Sequence, residues 1–134
     1  MKKFILSIIV FLSLLSCDDS DSGINGMWQL KSVTNAYGET NKVDSIFYSF
    51  QEKAIFTFTV LKNENAANIV YGYSKFLSDD KLSIWINENN LSEEFLKLSG
   101  WADYEETFII DKFDSKSLIL TSEANKKKYI LKKY

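Results

Sequence analysis

The sequence has no histidine, no proline and no arginine; all 16 basic residues are lysine, and there is a single cysteine, Cys17. Each absence closes off a chemistry. Without His the chain lacks the commonest general base and metal ligand, and a Ser-His-Asp set is impossible. Without Arg it lacks the planar fork that grips phosphate and reads guanine. With a net charge of −2, that argues against a nucleic-acid partner. One cysteine can form neither an internal disulfide nor a CxxC site, and no Gly-rich phosphate loop is present. The missing Arg, beside plentiful Asn, Lys, Ile and Phe, is also what codon usage in an AT-rich genome produces. What remains is ordinary for one globular domain: 134 residues, 46% hydrophobic and 25% charged.

The chain opens MKKFILSIIVFLSLLSCDDSDSG. Lys2 and Lys3 form a short positive region, and Phe4 to Leu15 is apolar apart from Ser7 and Ser13. At ~1.5 Å per residue this run is too short for a bilayer core of ~30 Å, but it suits the apolar region of a signal peptide. Leu14-Leu15-Ser16-Cys17 resembles the lipobox of bacterial lipoproteins. The resemblance implies diacylglycerol on the Cys17 sulfur, cleavage after Ser16 and acylation of the new amino group. Two or more acyl chains, at about 0.8 kcal/mol per buried CH₂, give stable anchoring where one is marginal. Residues 1–16 are thus expected to be a leader and 17–25 an acidic tether. Asp18, Asp19 and Asp21 read as a solvated linker. They also resemble the acidic surface-export signal of Bacteroidetes lipoproteins, which implies the outer leaflet of the outer membrane. A calcium site is disfavoured, since the rest of a binding loop is missing.

From Gly26 onward the chain reads as short strands: Gly26–Thr34, Ser45–Gln51, Ala54–Lys62, Asn68–Leu77, Lys81–Asn87, Tyr104–Phe113, Ser117–Ser122 and Lys127–Lys133. Each is rich in β-branched or aromatic residues, and several alternate. Phe56, Phe58 and Val60 share one face; Leu82, Ile84 and Ile86 share another. Short links predict antiparallel neighbours. One segment differs. Asn90 with Glu93 looks like a capping box, Leu91, Phe95 and Leu98 fall on one helical face, and Gly100 suits a stop. A short helix over 91–99, packed across one opening of the sheet, is the expectation. The fold class is therefore all-β, an up-and-down antiparallel barrel of about eight strands with one short helix. A two-sheet sandwich is the competing architecture.

Gly26-Met27-Trp28 resembles the G-x-W signature on the first strand of lipocalins. The start and the ending FIIDKFDSKSLILTSEANKKKYILKKY are similar to small lipocalin-like lipoproteins of Bacteroidetes. The resemblance covers both ends of the 26–134 domain. It implies that Trp28 closes the barrel base structurally and that a basic residue of the last strand lies across it. Lys133, in phase with Tyr129 and Leu131, fits that place, with Lys where Arg is usual.

Little suggests catalysis. Glu105 and Glu106 are adjacent on a strand and so point to opposite faces. Glu93 and Glu94 suit a first helical turn, and Asp79 and Asp80 suit a turn. The expectation is a non-enzymatic envelope lipoprotein without cofactor or metal, bound to the membrane by its lipid. Inside the barrel, Phe56, Phe58, Tyr71, Tyr73, Trp85 and Phe108 are the candidates to line a cavity for a small apolar or amphipathic ligand. The alternative is a filled barrel that binds another envelope protein or glycan from outside.

Overall fold

The structure, a computed structural model, describes residues 21–87 and 92–134. The leader, Cys17, Asn90 and Leu91 lie outside the described residues.

Among the described residues nine strands form one antiparallel sheet: β1 Gly26–Thr34, β2 Thr40–Lys42, β3 Ile46–Phe50, β4 Ile55–Asn63, β5 Ala66–Ser78, β6 Lys81–Ile86, β7 Glu105–Phe113, β8 Ser117–Ser122 and β9 Lys128–Lys133. From β3 to β9 each strand pairs with the next, β1 pairs with β3, and β1 also pairs with β9. That last pairing closes an eight-stranded barrel and decides against the sandwich. Closure removes the free edges that a meander of aromatic strands would otherwise expose. The ninth strand, β2, was absent from the expected set. It pairs with the upper half of β1 through Ser32, Val33 and Thr34. Its sequence, Thr-Asn-Lys, is polar throughout and exposed, so it carries no alternation to read.

Register is fixed by which parity is apolar. Trp28 and Leu30 on β1, Tyr48 and Phe50 on β3, and Phe56 and Phe58 on β4 all enter the core. Leu82, Ile84 and Ile86 on β6, Leu118 and Leu120 on β8, and Tyr129 and Leu131 on β9 join them. A slip in the β1–β9 pairing between Leu30 and Ser32 moves the inward parity to Val33, which packs on the same core. Similar irregularities in β4–β5, β5–β6 and β7–β8 bend the sheet enough to close. Gly72 on β5 is a different kind of requirement: a Cβ there would lie 1.9 Å from the Trp85 carbonyl oxygen. The two strands approach too closely for any side chain.

The short helix α1 spans Ser92–Ser99. Gly100 ends it with a φ of +71°, donating its N–H to Leu96 O at 3.2 Å. Glycine tolerates that left-handed backbone without steric cost. The domain also starts earlier than Gly26. Asp21–Ile24 form a 3-10 turn, and Ile24, only 4% exposed, belongs to the core. The later part of the expected tether is therefore structure, because Ile24 has an apolar place to go.

Candidate functional site

The two ends of the barrel are closed by different means. At the base, Trp28 is fully buried and donates its indole N–H to Ile24 O at 2.8 Å. Lys133 pairs with Trp28 across β1–β9, and its ammonium lies 4.6 Å from the Trp28 ring centroid. The same ammonium donates to Asn25 O at 2.6 Å. Gly26 explains its own presence here. Its φ is +123°, and a Cβ would stand 2.5 Å from Lys133 Nζ. Phe113 sets its ring edge-on to Trp28 at 6.1 Å.

At the mouth, α1 and the residues after it form a plug. Phe95 and Trp101 are buried and meet edge-to-face at 5.0 Å. Trp101 stacks on Phe56 at 6.4 Å, presents an edge to Phe108 at 5.5 Å, and donates its N–H to Tyr48 Oη at 3.0 Å. Phe95 packs on Phe58 at 4.8 Å. Three hydrogen bonds fasten the segment down. Glu106 Oε1 accepts from the Ala102 N–H at 2.7 Å, and Gly100 O accepts from Asn125 Nδ2 and Lys127 Nζ at 3.0 and 3.2 Å.

Beneath the plug sits a small polar cluster. Glu106 is only 2% exposed, yet both its oxygens are engaged, the second by Ser122 Oγ at 2.8 Å. Tyr129 Oη is buried with no hydrogen-bond partner among the described residues. Burial first, and the Glu106 carboxylate second, push the Tyr129 phenol well above its usual value. Tyr48 is likewise raised well above the usual phenol value, again chiefly by burial. A bare phenolate in this interior would be costly, so both stay neutral. Sequence parity offered a signal for Glu106, which alternates with Phe108 and Ile110 on β7. Only the tertiary structure shows that its partners meet it there.

The six residues expected to line one cavity do not lie on one surface. Phe56, Phe58 and Phe108 point inward and are consumed by the plug. Tyr71, Tyr73 and Trp85 point outward, because on β5 and β6 the inward parity belongs to Val70, Gly72, Ile84 and Ile86. Tyr73 and Trp85 are paired in register, their rings 5.7 Å apart and tilted by 32°. With Ile55 opposite Tyr73 and Glu105 opposite Trp85, they make a row across four strands on the outer wall.

Between α1 and the wall a half-open cleft of about 10 Å³ remains, at the limit for one water. Larger hollows are open grooves outside: one of about 590 Å³ beside β1 and β2, two of about 440 and 480 Å³ around the base, and one of about 480 Å³ beside Asp103, Glu105 and Glu123. Among the described residues no group of carboxylates or Cys is arranged to hold a metal. Lys62 with Glu94 and Lys81 with Glu123 form exposed ion pairs at 3.6 and 3.0 Å, of the kind that adds little.

Comparison with known proteins agrees with this geometry. A lipocalin-like protein from Bacteroides uniformis superimposes with a TM-score of 0.72 at 28% identity, over 84% of this chain and 99% of its own. An uncharacterized protein from Bacteroides eggerthii gives 0.70 at 32% identity, over 83% and 99%. No curated protein matches the chain. The sequence matches the family described as a lipocalin-like domain over residues 10–134. The chain belongs to the lipocalin-like domain family.

Proposed function

We propose that this protein is a lipid-anchored, non-enzymatic lipoprotein of the cell envelope whose barrel is a packed scaffold that binds another envelope component through its outer wall. One observation carries the reading: the barrel interior is already occupied, by Tyr48, Phe56, Phe58, Phe95, Trp101 and Phe108 in mutual ring contact. Ring pairs of this kind contribute beyond simple area burial. Expelling them for a ligand would forfeit that packing. The outward row of Ile55, Tyr73 and Trp85 supplies an alternative surface, and Tyr71 extends it. Exposed aromatics grouped together favour association more than solubility. The buried carboxylate Glu106 has both oxygens engaged within the protein, which supports a structural role over an acid–base one. Anchoring is supported by the lipobox-like Leu14-Leu15-Ser16-Cys17.

A second reading, an internal site for one small apolar or amphipathic molecule, is favoured by the plug being a short helix with a buried Tyr129 hydroxyl behind it that has no hydrogen-bond partner among the described residues. Native mass spectrometry of residues 17–134, made in a heterologous host, separates the two. The packed scaffold gives the polypeptide mass alone. A stoichiometric apolar adduct would instead establish the internal site. Anchoring is checked by palmitate labelling in the native host: Cys17→Ala should abolish it, and labelling that persists would refute the assignment.

A further inference from the structure

We propose that the base of the barrel rests on the lipid bilayer, with Phe76, Leu77 and Phe113 entering its interface. This rests on the reading that Cys17 carries the anchor. Four residue steps separate Cys17 from Asp21, where the base turn begins. Fully extended, they reach at most about 14 Å. A lipid on Cys17 therefore keeps the start of the base turn within about 14 Å of the membrane. The nine residues of β1 rise about 30 Å along the strand, which keeps α1 and the β1–β2 turn on the far side.

The base is apolar where this tether emerges. Phe76, Leu77 and Phe113 are 44%, 52% and 41% exposed. They line a groove of about 480 Å³ together with Gly23 and Ile24 of the tether's own turn and with Ser78 and Asp79 at its rim. Leu77 is exposed for a specific reason. The β5–β6 register steps from Phe76↔Leu82 to Ser78↔Lys81, leaving Leu77 unpaired at an irregularity. Bulges re-aim side chains in this way. Lys75 and Lys112 precede two of the three apolar residues and can lay their stems along the interface while their charges reach phosphate. Asp79 and Asp80, Asp114 with its ion pair to Lys112 at 3.9 Å, and Asp18, Asp19 and Asp21 of the tether oppose deeper entry or an anionic surface. Shallow contact with a zwitterionic surface is what this balance fits.

The test supplies the anchor chemically. Residues 17–134 are coupled through the Cys17 thiol to a maleimide-headgroup lipid in phosphatidylcholine vesicles containing lipids brominated near the headgroup. The indole introduced by Leu77→Trp, read as the difference from the parent, should lose at least half its emission to the bromines. One introduced by Tyr37→Trp, at the exposed β1–β2 turn, should be unchanged. A folded, coupled Leu77→Trp protein without quenching, or equal quenching at both positions, would overturn the proposal. So would quenching lost on dilution of coupled protein per vesicle, which would assign the patch to a second copy. Palmitate labelling of Cys17 in cells reports the anchor alone, so the two readings fail separately.

Discussion

The base and the mouth of this barrel solve the same problem with opposite materials. At the base, one tryptophan is pinned by a main-chain carbonyl below and a lysine ammonium across its face. At the mouth, a tryptophan of a different segment is wedged among four rings and hydrogen-bonded to a tyrosine hydroxyl. The base is centred on two residues paired in register, Trp28 and Lys133, with Ile24 of the preceding turn and Phe113 of β7 set against the indole. The mouth depends on a short helix folding back over the sheet and being tied to the β8–β9 turn. The base is thus part of the wall, and the mouth is a separate piece fitted into it.

The sharpest way to break this contrast is to remove each tryptophan. Trp101→Ala and Trp28→Ala should each cost about 3–5 kcal/mol in urea denaturation. Only the mouth variant should be rescued by added indole, seen as a rise in melting temperature, because its hollow is walled by rings. Rescue of both variants, or of neither, would erase the distinction. A smaller effect comes from the two buried phenols. Tyr48→Phe removes the acceptor of the Trp101 N–H and should cost about 1–3 kcal/mol, whereas Tyr129→Phe removes a hydroxyl with no partner of good geometry among the described residues and should cost less, about 1 kcal/mol or below. Both phenols are raised in the folded state. The stability they confer is therefore complete below the ordinary phenol value of about 10 and drains away as pH climbs from there toward the folded values. Melting curves from pH 8 upward should fall beyond ~10, less steeply in the Tyr129→Phe protein. The smallest effect belongs to Lys133→Ala, at about 1 kcal/mol or less for the ammonium–indole contact. Lys133→Arg should restore it, since a guanidinium stacks on the ring; an Arg variant as weak as the Ala one would mean that the Asn25 hydrogen bond is what counts.

The wall of the barrel was largely legible in the sequence. Gly26–Thr34 and Ser117–Ser122 match their strands residue for residue, and the others differ at their ends by one or two residues. The helix was readable from Phe95 and Gly100, since the apolar period changes there from two to that of a helix. The site was much less legible. Strand alternation says which residues share a face, but not which face is inside. On β5 both parities offer apolar residues, Val70 on one and Tyr71 and Tyr73 on the other. What settles the choice is Gly72, where β5 passes against the Trp85 backbone, and no periodicity marks that approach. Ile24 was hidden for a related reason: an acidic run precedes it, and only its burial under Trp28 distinguishes it from linker.

The pairing of β1 with β9 has a consequence for how the molecule is made. The strand that emerges early must wait for the one that emerges last, because Trp28 meets Lys133 across nearly the whole domain. Contacts so remote in sequence are slow to form, and an unfinished cylinder leaves two sticky borders open while it waits. Completion therefore falls after the final strand has been delivered, which makes the interval before closure the moment when this chain is most exposed to aggregation or proteolysis.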